Sequence, residues 1–163
     1  MGKEVKWLSR SDLDRLVAGA DTVRDRLFIR VLYETGCTVK ELVHIRAGDV
    51  HQGRIVFSDR ACRIGDDLFQ VLRTVTVNRK PWEFLFSTRQ SRQITTKRVR
   101  QLIQLYSSRV FGSKINPYAL RYSHVFQALS DNVPLLAVQK QVGLAHVRAS
   151  QLYRAFKRGA YES

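Results

Sequence analysis

The sequence predicts a fold of mostly α-helices with a small antiparallel β-sheet, an α+β class, in one domain covering residues 1–163. Apolar residues recur at helical spacing through the first and last thirds of the chain, and short runs of β-type composition interrupt this period near the middle. The hydrophobic fraction of 44% suffices for one packed core, and the length of 163 residues fits one domain better than two. This composition excludes a disordered basic tail.

Three helices are predicted before the middle of the chain. The first runs to about Val17 behind a serine cap, the second begins at Asp21 or Thr22 and ends at Gly36, and the third covers 39–45. The first two combine a polar residue that can cap a helix start with apolar residues on one face, and the third carries Leu42, Val43 and Ile45.

The middle of the chain predicts short antiparallel strands. Residues 54–57 and 61–64 are rich in residues that favour strands, and the stretch Thr74 to Val77 is a weaker candidate. A helix around residues 68–72 lies between them.

The last part of the chain returns to helical spacing. A long helix is predicted from Thr95 or Thr96, and three more cover 118–129, 135–142 and about 147–157. Two of these three follow a proline and the last follows a glycine, which are typical residues at helix boundaries.

Positive charge is concentrated in the second part of the chain. The net charge is +14, of which residues 1–67 contribute +1 and residues 68–163 contribute +13. Single-sign charge on a folded domain indicates a face that meets a polyanion, and the basic residues alternate with apolar ones over several helices, which favours nucleic acid over a membrane. The predicted DNA-binding residues here are Arg89, Arg92, Lys97, Arg98 and Arg100. A merely solvated helix face is the alternative for the last three.

Other functional classes find no support in the sequence. No apolar run reaches the roughly 20 residues that cross a bilayer, and the start lacks a signal-peptide pattern, so we expect a cytoplasmic protein. Two cysteines do not make a disulfide framework, and the four histidines do not pair with them at zinc-finger spacing. We therefore predict no metal and no cofactor.

Three segments, in order, resemble motifs of the tyrosine recombinase (phage integrase) catalytic domain. Residues 32–50 (LYETGCTVKELVHIRAGDV) are similar to T-G-x-R-x-S-E-L-x-x-L-x-x-x-D, and residues 116–124 (NPYALRYSH) resemble H-x-L-R-H. Residues 138–153 (VQKQVGLAHVRASQLY) are similar to V-Q-x-x-L-G-H followed nine residues later by a tyrosine. The resemblance covers about residues 8–156, and it implies the fold of that domain, with no N-terminal clamp domain in this sequence.

The resemblance also implies a chemistry. In the family a tyrosine attacks a DNA phosphodiester without a metal and forms a 3′-phosphotyrosyl link, while arginines neutralise the phosphoryl oxygens. Tyr153 matches the nucleophile and Arg121 the second phosphate-binding arginine. His124, His146 and Arg60 are further candidates that could replace missing catalytic groups. The alternatives are a core tyrosine at 153 and a structural ion pair at 121.

Several family catalytic positions are substituted. Thr38 replaces the first arginine, Tyr118 and Leu144 replace two histidines, and no lysine lies on the predicted strand hairpin. Each lost donor to a developing oxyanion costs roughly 100- to 1000-fold in rate. We therefore predict a DNA-binding protein with weakened or lost strand cleavage, and an active recombinase working through Tyr153 is the alternative.

Two further hypotheses remain open from the sequence. Residues 134–156 also fit a helix-turn-helix regulator, with Arg148 near the start of the recognition helix as a DNA contact. An RNA-associated basic protein is suggested by charge alone. The expected partners are double-stranded DNA and, on DNA, a second copy or a partner recombinase, in association with the nucleoid or a mobile element.

Overall fold

Eight helices and three short strands make up the part of the chain that the computed structural model describes, residues 7–161. Within the last helix the side chains at 146, 147, 156 and 159–161 lie outside the described residues. The elements are α1 Arg10–Ala18, α2 Val23–Thr35, α3 Val39–Val43, β1 Val50–His51, β2 Arg54–Val56, β3 Ala61–Arg63, α4 Asp66–Thr76, α5 Thr96–Phe111, α6 Tyr118–Ser130, α7 Leu135–Val142 and α8 His146–Tyr161. The predicted α+β class is confirmed.

Side-chain caps define the starts of the helices that the sequence predicted well. The side chains of Ser9, Thr22 and Thr95 each accept a hydrogen bond from a main-chain N–H three residues later. Each bond satisfies one of the free donors in the first helical turn, so these starts are determined locally.

The three strands form one antiparallel sheet in the order β1-β2-β3. Ile55 of β2 lies opposite Val50 on one side and Cys62 on the other, and both Ile55 and Cys62 are fully buried. The β1–β2 loop is the pair Gln52-Gly53, with φ of 49° and 74°, as a type I′ hairpin turn requires. This tight loop places the additional strand before residue 54.

One predicted strand and one predicted helix end are wrong. Residues 74–76 of the weak strand candidate Thr74 to Val77 lie in α4 and Val77 is its C-terminal cap, because buried Leu68 and Leu72 fix a helical face on which Val75 also packs. The third helix ends at Val43, two residues earlier than predicted.

Helix α6 contributes to both hydrophobic clusters of the domain. Ala119 and Leu120 belong to the larger cluster, which surrounds α2, whereas Val125 and Leu129 belong to a smaller one shared with α7 and α8. Arg121, between these residues in sequence, is therefore held where the two clusters meet.

The described residues also bear on membrane and metal chemistry. Between residues 7 and 161 no helix is long and apolar enough to span a bilayer. Within that same range no group of three or more His, Cys, Asp or Glu residues could hold a metal ion. Cys37 and Cys62 are buried free thiols, and burial raises the pKa of Cys37 to about 12.

Candidate functional site

Arg121 is a buried arginine at the centre of the candidate site. Its guanidinium Nη1 donates to the main-chain oxygen of Gly36 at 2.6 Å and lies 4.0 Å from Glu41 Oε1. Only 7% of the residue is exposed. Burial lowers the pKa of Arg121 and the Glu41 carboxylate opposes this shift, but an arginine stays charged near neutral pH. Arg121 therefore places a buried positive charge in the site.

Gly36 forms the turn on which this arginine rests. Its φ of 67° is left-handed, and a side chain there would place Cβ 2.5 Å from Val142 Cγ1 and 3.0 Å from His124 Cδ2. Glycine is the residue that tolerates this conformation without strain. The turn thus brings α2, α6 and α7 into direct contact beside Arg121.

Position 38, which the resemblance aligns with the family's first arginine, is occupied by a helix cap. The Thr38 hydroxyl accepts from the main-chain N–H of Glu41 at 3.1 Å, and Glu41 Oε1 accepts from the main-chain N–H of Thr38 at 3.0 Å. This reciprocal pair is a capping box. Thr38 therefore stabilises the start of α3 and brings no charge to the site.

Arg60, from the turn between β2 and β3, binds the Glu41 carboxylate with both terminal nitrogens. Its Nη1 donates to Glu41 Oε2 at 2.7 Å and its Nη2 to Oε1 at 3.1 Å, while Nε donates to the main-chain oxygen of Gln141 at 2.8 Å. Nη1 also donates to Asp59, and the guanidinium carbon lies 4.7 Å from the centre of the Phe57 ring. The Arg60 guanidinium is thus held by protein acceptors.

The ion pair shifts the pKa values of both partners. Burial opposes ionisation of Glu41, but the hydrogen bonds from Arg60 and Thr38 outweigh it and lower the pKa of the carboxyl. Burial likewise acts against the Arg60 cation, and pairing with Glu41 and Asp59 outweighs it and raises the pKa. Both groups are therefore charged near pH 7, and each compensates the other.

His124 lies on the same face of α6 as Arg121 but is largely covered. Its ring meets Tyr33 edge-on, with centroids 6.4 Å apart, and its Nε2 is buried and forms no hydrogen bond with the described residues. Burial lowers the pKa of His124, while the Tyr33 main chain and the Gln141 side chain act the other way. The imidazole is therefore neutral at pH 7 and adjoins the Gly36 turn.

The structure places Tyr153 on α8, half-buried against the smaller hydrophobic cluster. The Lys157 ammonium lies 5.4 Å from the centre of its ring. The side chain of His146, another predicted catalytic residue, lies outside the described residues. Arg121, His124 and Arg60 are thus brought together around Gly36 and Glu41, and we call these five residues the Arg121 cluster.

Arg148, predicted to contact DNA, is exposed near the start of α8 and donates to the hydroxyl of Tyr122 on α6. Its guanidinium also lies 5.6 Å from the centre of the Tyr122 ring. Tyr118, at the position of a family histidine, is 46% exposed and adjoins Tyr122, with ring centroids 6.2 Å apart. Arg148 is therefore oriented by α6.

The other predicted DNA contacts are exposed cations on a continuous part of the chain. Arg89 and Arg92 lie in the loop before α5, and Lys97, Arg98 and Arg100 lie in its first turns. In residues 7–161 none of the five side chains forms an ion pair. Their charge is available to an external anion.

Sequence reasoning did not assign a role to Glu41 or to Gln141. The Thr38-x-x-Glu41 spacing is a capping-box signature, so the local role of Glu41 could have been read from the sequence. Its pairing with Arg60, 19 residues away, and the contact of Arg60 with Gln141, 81 residues away, have no local signal.

The sequence of the chain also matches a known protein family over most of its length. The model of the phage integrase family matches residues 6–158. The chain belongs to the phage integrase family. The three motifs recognised in the sequence are thus parts of one family match.

Curated relatives and solved structures agree with this assignment. The chain is 27% identical over 160 residues to the tyrosine recombinase XerA of Pyrococcus horikoshii, covering 91% of this chain and 56% of the relative. It is 30% identical over 145 residues to XerD of Staphylococcus haemolyticus, covering 80% and 49% respectively. This phage integrase family chain spans about half the length of the curated relatives it matches.

Solved structures of low sequence identity share the fold. A crystal structure of XerA recombinase superposes with a TM-score of 0.80 at 20% identity, over 96% of this chain and 64% of that one. XerH recombinase bound to its difH substrate gives 0.74 at 17% identity, over 99% and 53%. The fold is that of the tyrosine recombinase catalytic domain.

Proposed function

We propose that this chain binds double-stranded DNA as a tyrosine recombinase catalytic domain in DNA recombination or integration, with strand cleavage weakened or lost. The observation that carries the proposal is the makeup of the Arg121 cluster. Arg121 is its one guanidinium without a full carboxylate partner in the described residues, because position 38 is a cap and Arg60 is paired with Glu41.

The chemistry explains why this composition matters. Attack of a tyrosine on a phosphodiester concentrates negative charge on the phosphoryl oxygens, and fixed cationic donors lower that barrier. A guanidinium already bound to a carboxylate offers less charge to a phosphate, and the cap at 38 offers none. We therefore expect DNA binding to persist while cleavage through Tyr153 is slow, with no metal or cofactor needed.

The partners follow from the same proposal. Solved relatives include XerH bound to its difH substrate and a lambda integrase dimer bound to a core site. We infer that this chain uses Arg89, Arg92 and the start of α5 on duplex DNA, together with a second copy or a partner recombinase. Such a protein would act at the nucleoid or on a mobile element in the cytoplasm.

The decisive experiment traps a covalent intermediate. A duplex is first selected for binding from a random pool, then nicked so that the strand end diffuses away after cleavage and leaves a phosphotyrosyl adduct. We expect wild type to bind the duplex and Thr38→Arg to accumulate adduct roughly 100-fold faster, because it restores a cationic donor.

Two variants control this measurement. Thr38→Ala removes the same cap without adding charge and should give no gain, and Tyr153→Phe should abolish any adduct. If wild type forms adduct as fast as Thr38→Arg, cleavage is not weakened and the chain is an active recombinase through Tyr153. If wild type binds no duplex at low salt, the whole proposal fails.

A helix-turn-helix regulator is the second candidate, and the arrangement of α7 and α8 favours it. The two helices are joined through a left-handed glycine, and Arg148 is exposed near the start of the second. In that case Arg148→Ala should abolish sequence preference, whereas in the recombinase proposal it should weaken binding by one contact.

A further inference from the structure

A cavity of about 770 Å³ lies outside the Arg121 cluster, between the turn that precedes Leu85 and the loop that follows it. Its volume falls within the range of ligand pockets. Its lining is strongly basic, with Glu83 as an acidic member. The residues that matter here are Arg46, Arg79, Lys80, Trp82, Arg89 and Arg92. We call this cavity the Trp82 basin.

The back wall of the basin is held by main-chain hydrogen bonds. Leu85 N–H donates to Ile45 O at 2.8 Å, Ala47 N–H to Glu83 O at 2.8 Å and Gly48 N–H to Pro81 O at 2.9 Å. Gly48 allows this approach because a Cβ there would lie 3.0 Å from Pro81 Cβ. The basin is therefore preformed.

Trp82 is an aromatic surface presented to solvent from this rigid wall. The residue is 63% exposed, although its main-chain oxygen accepts a hydrogen bond from Arg46 Nη1 at 2.5 Å. The Lys80 ammonium lies 5.4 Å from the centre of its ring. An exposed aromatic ring beside cations is the arrangement on which single-stranded nucleic acids stack their bases.

The opposite wall supplies cations without protein partners. Arg89 and Arg92 are exposed and form no hydrogen bond or ion pair within residues 7–161. The loop that carries them is ordered by bonds between Thr88 and Ser91, including Ser91 N–H to Thr88 Oγ1 at 2.9 Å. These guanidiniums are placed to meet phosphates.

We propose that the Trp82 basin binds an unpaired segment of single-stranded DNA, with a base stacked on Trp82 and its phosphates on Arg89 and Arg92. This deepens the proposed function and rests on it. Gln93 Nε2 donates to Val43 O at 2.9 Å and so ties the loop to α3, the helix that carries Glu41. The loop that lines the basin is thus attached to the helix whose Glu41 belongs to the Arg121 cluster.

The test uses the intrinsic fluorescence of Trp82. The chain has two tryptophans, and Trp7→Phe leaves Trp82 as the only one while keeping an aromatic ring against Phe126. Excitation at a wavelength that tyrosine does not absorb then isolates the Trp82 emission. In this background we expect hexathymidylate to quench the emission with saturation. The Trp82→Leu variant should bind hexathymidylate about tenfold more weakly, since stacking contributes about that factor per base. Its binding is measured through a fluorescent label on the oligonucleotide.

Controls separate stacking from charge and this inference from duplex binding. An abasic hexamer with the same phosphates should bind more weakly and leave Trp82 emission unchanged, and Arg89→Ala with Arg92→Ala should weaken hexathymidylate binding. Equal quenching by the abasic hexamer, or no effect of the arginine substitutions, overturns the inference. Absence of quenching with intact duplex binding overturns this inference alone, whereas loss of duplex binding with intact quenching contradicts the proposed function alone.

Discussion

Glu41 is the residue on which the local structure of the site depends. Its carboxylate accepts hydrogen bonds from the Thr38 main chain and from both terminal nitrogens of Arg60, and it lies 4.0 Å from Arg121. One negative charge thus faces two buried cations. Because Glu41 is bound mainly by Arg60, it neutralises Arg121 only in part. A phosphate that reaches Arg121 would therefore meet a positive charge.

Buried His124 gives the domain a predictable sensitivity to acid. Its pKa in the folded state is lowered by burial, so below its ordinary value near 6.5 the unfolded chain binds a proton that the folded chain does not. The contribution of His124 to stability is therefore constant above about pH 6.5 and falls below it, by at most about 1.4 kcal/mol per pH unit. We expect His124→Gln to remove this component, measured by urea unfolding between pH 7.5 and 5.5.

The matched control is His44→Gln, which removes an exposed histidine of α3's C-terminal cap. The His44→Gln variant should still lose stability below about pH 6.5, as the wild type does. If His124→Gln and wild type lose stability in parallel, His124 is not the group responsible.

At the scale of elements, the β2–β3 turn, α3 and the end of α7 are joined by one side chain. Arg60 contacts Glu41 of α3 and the main chain of Gln141 while its own main chain belongs to the turn. Arg60 is 8% exposed at its side chain and Glu41 27%. Removing one partner of such a pair leaves a poorly solvated charge.

We therefore expect Arg60→Met to lower the free energy of unfolding by about 3 kcal/mol, because Glu41 loses its partner. Adding Glu41→Gln should recover part of that loss, and the double-mutant cycle gives the coupling. Chemical denaturation at pH 7 provides the measurement.

The exposed pair Arg10–Asp131 serves as the comparison, with side chains 64% and 55% exposed. Arg10→Met should leave stability nearly unchanged, because solvent screens such pairs. Equal effects of the two arginine substitutions, or zero coupling between 60 and 41, would contradict the role assigned to Arg60.

The elements themselves were largely predictable because their determinants are local. Neighbouring residues determine both the apolar spacing of each helix and the caps at Ser9, Thr22 and Thr95. The strand at Val50–His51 was missed because two residues are too few to show an alternation of apolar and polar side chains. The Gln52-Gly53 pair after it is typical of a hairpin turn and indicates a strand on each side. Position 60 was predicted as a candidate catalytic residue, but its pairing depends on contacts distant in sequence.

At the scale of the whole molecule, the positive charge is unevenly distributed along the chain. Residues 68–163 carry a net +13, and exposed Arg98 and Arg100 lie at the start of α5, where the positive end of the helix dipole makes cations unfavourable. An anionic partner would account for this placement, whereas helix stability does not. The same surface includes the loop with Arg89 and Arg92.

The salt dependence of DNA binding tests this surface. Each of Arg98→Ala and Arg100→Ala should weaken duplex binding and reduce the slope of log affinity against log salt by about one, because each removes a phosphate contact. The measurement is fluorescence anisotropy of a labelled duplex over a range of salt concentrations.

Arg73→Ala is the control, since Arg73 is an exposed arginine of α4 in the same basic part of the chain. It should leave the slope unchanged. If all three variants reduce the slope equally, the charge acts diffusely and α5 is not a specific contact surface.

Arg60 also limits how the domain can move. Because its guanidinium bonds to Gln141 and would lie 2.8 Å from a Cβ at Gly143, a shift of the hairpin would disturb its contact with the end of α7. A displacement of the hairpin would therefore reach the junction that precedes α8, the helix that carries Tyr153.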